Sequence, residues 1–516
     1  MKNAIFLFFI CFSAFTRCSA QNIGIGTTNP DASAILDIAS TGKGLLIPRM
    51  TTAHIASLTT PAKGLLVYDS SLNQLKVNMG TPSAPNWQTI VTGIGWSLTG
   101  NANTTASSFM GTTDDRPLQF RINNQWAGTI DSARNDVYIG YGAGTYTFGF
   151  GQNTAVGHGS LNPPYNNNAI ISGFECTAMG KLALSQNQGA ELNTANGYQA
   201  LSQNTSGPGN TANGVQALRW NTTGGANTAN GASALANLTG TDGNTASGTG
   251  ALEFTQASYN TASGYLALYE TGTGGSLNFS YNTGIGEQAL FSNTSGLYNT
   301  GIGYRTLAAT TQTYNNTAIG YNAGTSYNNG QDNVYIGANT DANAANYDGV
   351  VAIGQGTVVT GYYMARFGNS ATTFYGGWAG WTNVSDGRFK SNIKENVPGL
   401  AFINQLRPVT YRLKATALDQ FLHNNSKQTP QAAHTKALQQ KEAIVYTGLV
   451  AQEVEAAAKK IGFDFSGVDA PKNSNDTYGL RYDEFVVPLI KAVQELAKEN
   501  DDLQKQIDEL KALVKH

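Results

Sequence analysis

One short unit dominates the chain: Asn-Thr-Ala/Gly-x-Gly, often with Ala-Leu three residues later, as in Asn210-Thr211-Ala212-Asn213-Gly214-Val215-Gln216-Ala217-Leu218. Its Asn recurs at 193, 210, 227, 244, 260, 282, 299 and 316, and Asn333 heads a diverged copy. The successive gaps are 17, 17, 17, 16, 22, 17, 17 and 17. The gap of 22 marks a five-residue loop insertion around Thr273-Gly274-Gly275, and upstream copies at Asn153 and Cys176-Thr177-Ala178-Met179-Gly180 are more degenerate. A fixed short period with one Gly turn and one small apolar pair is the signature of a solenoid, placed here at 135–354. Each rung is too small to bury a face alone, so rungs must stack about one strand spacing apart. Equivalent Asn side chains then form ladders, and Ala and Leu fill a narrow core. So little apolar content per rung predicts further burial between chains.

Composition agrees. Charged residues are 12% of the chain and Gly numbers 59, which suits a repetitive β structure better than a salt-bridged helical enzyme. A formal net charge of -2 gives no electrostatic case for nucleic acid or an anionic membrane surface. Residues 385–516, however, hold 18 of the 31 Lys+Arg and 17 of the 33 Asp+Glu. Two proteins of different physical character share one chain.

The first 20 residues read as a secretory signal: Lys2, the apolar run Ala4 to Phe15, then Cys18-Ser19-Ala20 before Gln21. The run is too short to span a bilayer, so no membrane span is expected. Lipid anchoring at Cys18 is disfavoured by Arg17 directly before it. Cleavage leaves Cys176 alone in a secreted or cell-surface chain with no intrachain disulfide, so stability must come from packing or assembly.

Residues 21–95 read as a small β module. Lys43-Gly44-Leu45-Leu46 and Lys63-Gly64-Leu65-Leu66 each open an apolar run, and Asp69-Ser70-Ser71-Leu72-Asn73 supplies turn chemistry. Residues 96–134 form a fibre-shaft segment. Gly24-Ile25-Gly26-Thr27-Thr28-Asn29-Pro30 and Gly111-Thr112-Thr113-Asp114-Asp115-Arg116-Pro117 resemble stretches of secreted tail-fibre-like proteins of Bacteroidetes. The repeat unit resembles the head repeats of trimeric bacterial adhesins, which implies three chains around a common axis.

In the repeats, the Thr column at 194, 211, 228, 245 and 261 reads as ladder pairing and turn capping, in preference to an ice-binding array. Calcium-binding nonapeptides would need an Asp in every turn, and no carboxylate pair marks a glycosidase.

After a linker at 355–384, Val384-Ser385-Asp386-Gly387-Arg388-Phe389-Lys390 opens the charged segment. A serine needs a base to act as a nucleophile, and lysine serves only when neutral, a state that burial favours. On a continuous helix the five-residue spacing separates the side chains by about 140°. Ser385 and Lys390 can meet only if the backbone bends, and Asp386-Gly387 suits a turn. Ser385 then faces the carbonyl of Val384. The bland alternative is a helix-capping Ser385 and a solvated Lys390.

Ser385-Asp386-x-Arg388-x-Lys390-x-Asn392-Ile393 resembles the start of the intramolecular chaperone, or peptidase S74, domain of endosialidases and phage tail fibres. Arg407-Pro408-Val409-Thr410-Tyr411, Gly448-Leu449-Val450-Ala451-Gln452-Glu453-Val454 and Leu480-Arg481-Tyr482 are similar to its later blocks. The resemblance implies a cut between Val384 and Ser385, with Ser385 the nucleophile and Lys390 the base, once per chain. Asp386, Arg388 and Asn392 match the motif and hold the turn.

Residues 415–443 read as a helical insertion. The histidines at 54, 158, 423, 434 and 516 lack ligand spacing, so no metal and no cofactor is expected. The chaperone domain is placed at 385–488 and a coiled coil at 489–516, with a heptad seam Leu489-Val493-Leu496-Asn500-Leu503-Ile507-Leu510-Val514. Asn500 fixes register, and such a pattern often favours dimers, whereas the upstream fold calls for a trimer.

The whole is a mainly β chain: a trimeric parallel β-roll or solenoid of 17-residue repeats, a small α+β chaperone domain and a coiled coil. The expected function is a secreted fibre or adhesin that assembles as a homotrimer and then releases its chaperone by self-cleavage. A cell-surface glycan or another surface ligand is the expected outside partner. The alternatives are an uncleaved structural cap and a glycan-active fibre enzyme.

Overall fold

The computed structural model describes residues 22–90, 104–145, 151–162, 174–272, 280–325, 330–423 and 432–514. The signal segment at 1–20, the insertion around Thr273 and His516 lie outside the described residues. The chain divides into two compact units, Met1–Met110 and Gly111–His516.

In the first unit Ile23–Ile25 pairs in parallel with Leu36–Ile38, and a separate four-stranded sheet follows. That sheet runs Arg49–Met50, Leu66–Asp69, Gln74–Asn78, Trp87–Thr89, with the short helix α1, Thr52–Ala56, between its first two strands. The turn expected at Asp69–Asn73 joins an antiparallel pair. Burial raises the Asp69 carboxyl, but bonds from the Thr52 hydroxyl, the Ser71 and Leu72 amides and Lys76 outweigh it and hold the acid low. Only the second Lys-Gly-Leu-Leu run becomes a strand. Leu45 and Leu46 lie exposed outside any strand, as do Ile23 and Ile25 within theirs, so this unit alone does not bury its apolar residues.

The second unit begins with a solenoid, sixteen strands of which form one sheet, and ends in a smaller C-terminal lobe. Leu118–Ile122 and Gln125–Asp131 are antiparallel and close its first end, a cap where the sequence suggested a separate shaft. From Asp136–Ile139 onward all pairing in this sheet is parallel and in register: Thr194 on Thr211 on Thr228, Ala195 on Ala212 on Ala229. The ladder passes the insertion without slipping, Thr261 pairing with Thr283. It also outruns the expected end at 354, because Val351–Ile353 pairs with Ala365–Phe367. That last rung is only 14 residues long and lacks the Asn-Thr motif, yet its backbone still pairs in register, so about half of the supposed linker is solenoid.

Within each three-residue strand the middle side chain points in and its neighbours point out. Ala195, Ala212 and Ala229 are fully buried, and Leu201, Leu218 and Leu235 stack beside them. Those leucines take left-handed backbone angles, Leu218 with φ 50°. That conformation costs a non-glycine residue about 1–2 kcal/mol. Burying the side chain returns about 1.5–3 kcal/mol, and the turn points the Leu218 amide at Ala234 O, 3.0 Å away in the next rung. Glycine is required at the strand exit: Gly214 has φ 142°, and a Cβ there would lie 2.4 Å from Gly231 O.

The head Asn forms the second buried column. Asn210 N donates to Asn193 Oδ1 at 2.8 Å, Asn227 N to Asn210 Oδ1 at 3.0 Å and Asn244 N to Asn227 Oδ1 at 2.9 Å. The amide nitrogen reaches the same following rung, Asn227 Nδ2 donating to Thr241 O at 2.8 Å. Asp136 starts the column, its carboxylate accepting from Asn153 N at 2.9 Å, and burial pushes its pKa up. Cys176 replaces Asn in one rung, and burial raises its thiol to about 11.

The outward column after each buried mid-strand residue changes character along the fibre. It reads Ile139, Val156, Met179, then Asn196, Asn213, Asn230, Ser247, Ser263, then Ile285, Ile302, Ile319, Ile336. The last four isoleucines are exposed in the single chain.

Asn227→Ala should destabilise the solenoid by about 2–4 kcal/mol, because it strands the buried Asn244 amide and Thr241 carbonyl. The exposed Asn230→Ala should cost under about 0.5 kcal/mol. Denaturant midpoints compare the two, and equal losses would refute the ladder's role.

Candidate functional site

The segment before the expected cut is extended and bare. Phe374, Trp378, Trp381 and Val384 are all exposed, Val384 by 88%. A single 3-10 turn, Gly387–Phe389, follows. Asp386 caps it, its carboxylate accepting the Arg388 amide at 2.9 Å and the Arg388 Nε at 2.9 Å. The Arg388 guanidinium holds the Asp386 carboxyl below its ordinary range, and Asp386 raises Arg388 in return. Closure comes from Phe389 N to Asp386 O at 3.1 Å and Lys390 N to Gly387 O at 3.2 Å.

This turn brings the ends of the motif together: Lys390 Nζ lies 2.7 Å from Ser385 Oγ. The bend expected between them is therefore present, and the bland capping reading of Ser385 is not what forms, since Asp386 is the cap. Gly387 contributes less than expected. Its φ is not left-handed and a Cβ there would meet open space. Asn392 is the residue that takes a left-handed angle, φ 53°. Ser385 and Lys390 are both exposed in the single chain.

Beyond the turn the later motif blocks converge. Val409–Tyr411 pairs antiparallel with Tyr446–Gly448, and Arg407 Nε bonds Glu453 Oε2 at 3.1 Å. Tyr482 Oη accepts the Leu449 amide at 3.0 Å. Behind them Phe402, Val454, Phe465 and Phe485 form a small core. Two helices line it, α2, Leu400–Ile403, and α5, Ala451–Lys460, while α3, Ala415–Leu422, and α4, Ala432–Glu442, pack against each other. The fifth, α6, Val486–Val514, runs without a break through the boundary that the sequence placed at 488. Its buried Pro488 and Ala492 belong to the lobe, and Glu495 Oε2 caps α2 by accepting Leu400 N at 2.7 Å. The heptad positions Val493, Leu496, Leu503, Ile507 and Leu510 are exposed, as is Asn500.

One cluster escaped the sequence. His423 Nδ1 lies 3.3 Å and His434 Nε2 3.1 Å from Asp419 Oδ1, and Ser370 donates to the same oxygen. The Asp419–His423 spacing of four on one helix was the available signal. Neither His434 nor Ser370 is predictable without the fold. These contacts are hydrogen bonds, and among the described residues no group of His, Cys, Asp or Glu is arranged to hold a metal ion.

Comparison with known families agrees with the geometry at both ends of the chain. Residues 24–108 match the phage tail like trimerisation region, and residues 385–463 match the chaperone of endosialidase, also called peptidase S74. No curated protein and no solved structure matches the chain significantly. Most exposed apolar residues of the first unit, Ile25, Leu45 and Leu46 among them, fall inside the trimerisation match. With a trimerisation-region match before the solenoid and a chaperone match after it, the two ends of the chain support a trimeric, tail-fibre-type assembly.

Proposed function

We propose that the chain is a secreted fibre whose C-terminal lobe assembles three copies and then cuts itself free between Val384 and Ser385. The observation that carries this reading is the 2.7 Å approach of Lys390 Nζ to Ser385 Oγ, across a turn beside an uncovered peptide bond. As a neutral amine, Lys390 takes the hydroxyl proton while Oγ adds to the Val384 carbonyl carbon. The C–N bond breaks, its nitrogen takes that proton from Lys390, and an ester joins Val384 to Ser385 Oγ. Water hydrolyses the ester, leaving a Val384 carboxylate and a Ser385 amine. No cofactor enters.

Timing follows from exposure. A solvated lysine stays charged, and burial is what favours the neutral base. Trp378, Trp381, Phe389 and Ile393 surround the dyad in sequence and are uncovered in one chain. Packing of these residues against neighbouring chains desolvates Lys390, so the cut waits for assembly. The exposed seam of α6 brings the chains together as a short coiled coil, and Asn500 sets its register.

The outward face of the solenoid supplies the rest of the trimer contact. Its run of four isoleucines lies nearer the lobe, so apolar association starts there and spreads toward the Asn and Ser stretch. A cell-surface glycan suits the remaining surface, where exposed Tyr198, Tyr265, Tyr304 and Tyr321 offer rings and hydroxyls.

Expressed wild-type protein should resolve on a denaturing gel into a large fragment and the 132 residues from Ser385 to His516. Ser385→Ala and Lys390→Met should both stay whole, and an intact wild type would make the lobe a permanent cap. Ile302→Asp should lower the trimer fraction seen by light scattering, since a buried unpaired charge costs several kcal/mol, while Asn196→Asp should not. On a glycan array the fibre should bind without hydrolysis. Released sugar would point to an enzyme.

A further inference from the structure

A cut between Val384 and Ser385 leaves Asn343, Thr360 and Arg366 on the solenoid piece and residues 472–477 on the lobe piece. In the intact chain these two sides meet. The loop 472–477 connects the antiparallel pair Val468–Asp469 and Gly479–Leu480 and reaches the last rungs. Thr360 is the hub of the contact. Its hydroxyl donates to Asp476 Oδ1 at 2.6 Å and accepts from Arg366 Nη2 at 3.3 Å, while its carbonyl accepts from Asn473 Nδ2 at 3.0 Å. Asn473 Nδ2 also bonds Tyr347 Oη at 3.1 Å, and Asn343 Nδ2 donates to the main-chain carbonyl of Asn475 at 2.6 Å. Thr360 is fully buried there, and Asn343 and Tyr347 nearly so. An open cleft of about 330 Å³ continues the contact along Gly361 and Tyr362.

The solenoid side is shaped to receive such a loop. Arg366 Nη1 donates to the Val358 carbonyl, which fixes the guanidinium on the rung itself. Thr360 and Asn343 add a hydroxyl and an amide donor, and Thr360 O supplies the acceptor. The loop answers with one carboxylate, one side-chain amide and one peptide carbonyl, and residues 472–477 include no apolar side chain. Asn475 N bonds Asn473 Oδ1 at 2.9 Å, and Lys472 N and Thr477 N bond the Asp476 carboxylate at 3.2 and 2.8 Å, so the loop holds its own shape. A carboxylate, an amide and a main-chain carbonyl in one short strip are the groups of an acidic peptide.

We propose that the last rungs carry a binding site for an acidic peptide loop of a partner protein, that residues 472–477 plug it in the uncut chain, and that loss of the lobe opens it. This rests on the self-cleaving reading. While the backbone is whole, the plug has the high effective concentration of a tethered ligand. The hydrophobic cores of solenoid and lobe share no residue, and further bonds across the joint, Ser370 to Asp419 and Lys441 Nζ to Thr372 O at 2.6 Å, are polar as well. Cutting the tether makes docking a bimolecular equilibrium, and the plug leaves on dilution. Thr360 and the Arg366 guanidinium then face solvent, ready for another carboxylate.

Self-cleavage is not needed to open the site. In the full-length Ser385→Ala chain, a site-specific protease sequence inserted between Gly376 and Gly377 frees the lobe on demand, and gel filtration removes it. The probe is a labelled cyclic peptide with the sequence of residues 471–478. It should bind the cut fibre saturably and leave the uncut chain unlabelled. The same peptide with Asp476→Asn should bind about tenfold more weakly, having lost one charge-assisted bond. Thr360→Val in the chain, checked for unchanged solenoid melting, should weaken the normal peptide to a similar extent. No binding to the cut fibre, equal binding to cut and uncut chains, equal affinity of the two peptides, or a lobe that stays on the fibre through gel filtration would each overturn the site. The two-peptide comparison stands without the Thr360 variant, and an uncut wild type would refute self-cleavage while leaving this result intact.

Discussion

Everything in the fibre hangs on one contact, the Asn side-chain oxygen of one rung accepting the backbone amide of the next Asn. It is buried at Asn193, Asn210, Asn227 and Asn244, so water cannot substitute for it. The same side chain supplies a donor for a carbonyl fourteen residues on, as Asn210 does for Gly224. One residue per rung thus satisfies two backbone groups that the tight turns would leave orphaned. The strands can be only three residues long because this column, and not the strand pairing alone, fixes the spacing and register of successive rungs.

That dependence explains why the solenoid was legible in the sequence and its ends were not. The Asn-Thr-Ala-x-Gly spacing reports the column directly, so the period, the buried Ala and Leu and the ladder can all be read from residues such as Asn210 to Leu218. Asp136 and Val351 keep the rung length without the motif, and only backbone pairing shows that they continue the stack. Cys176 keeps the position but not the chemistry.

The candidate dyad divides in the same way. The need for a bend between Ser385 and Lys390 follows from helical geometry, and the turn is there. Its cause was misplaced: Asp386 capping through Arg388 makes the bend, while Gly387 uses no special freedom. The Ser370–Asp419–His434 meeting joins three parts of the chain, with 49 residues between the first two positions, and no local pattern encodes it. Likewise the expected break between lobe and coil fails because a helix needs only continuous propensity, and nothing from Val486 to Val514 interrupts it.

The unbroken α6 has a geometric consequence. Ala492 is locked in the lobe while Val493, the next residue, starts the exposed stripe, and a helix turns by about 100° per residue. The stripe cannot rotate about the helix axis without pulling Ala492 from its seat or fraying Glu495 from α2. In the proposed trimer, whatever lies along the stripe therefore dictates the angle at which each lobe faces the common axis. The bonds from Asn343, Thr360 and Thr372 to the lobe pass that angle to the last rung of the solenoid. There the helix acts as an indexing pin that sets which face each chain turns toward the others.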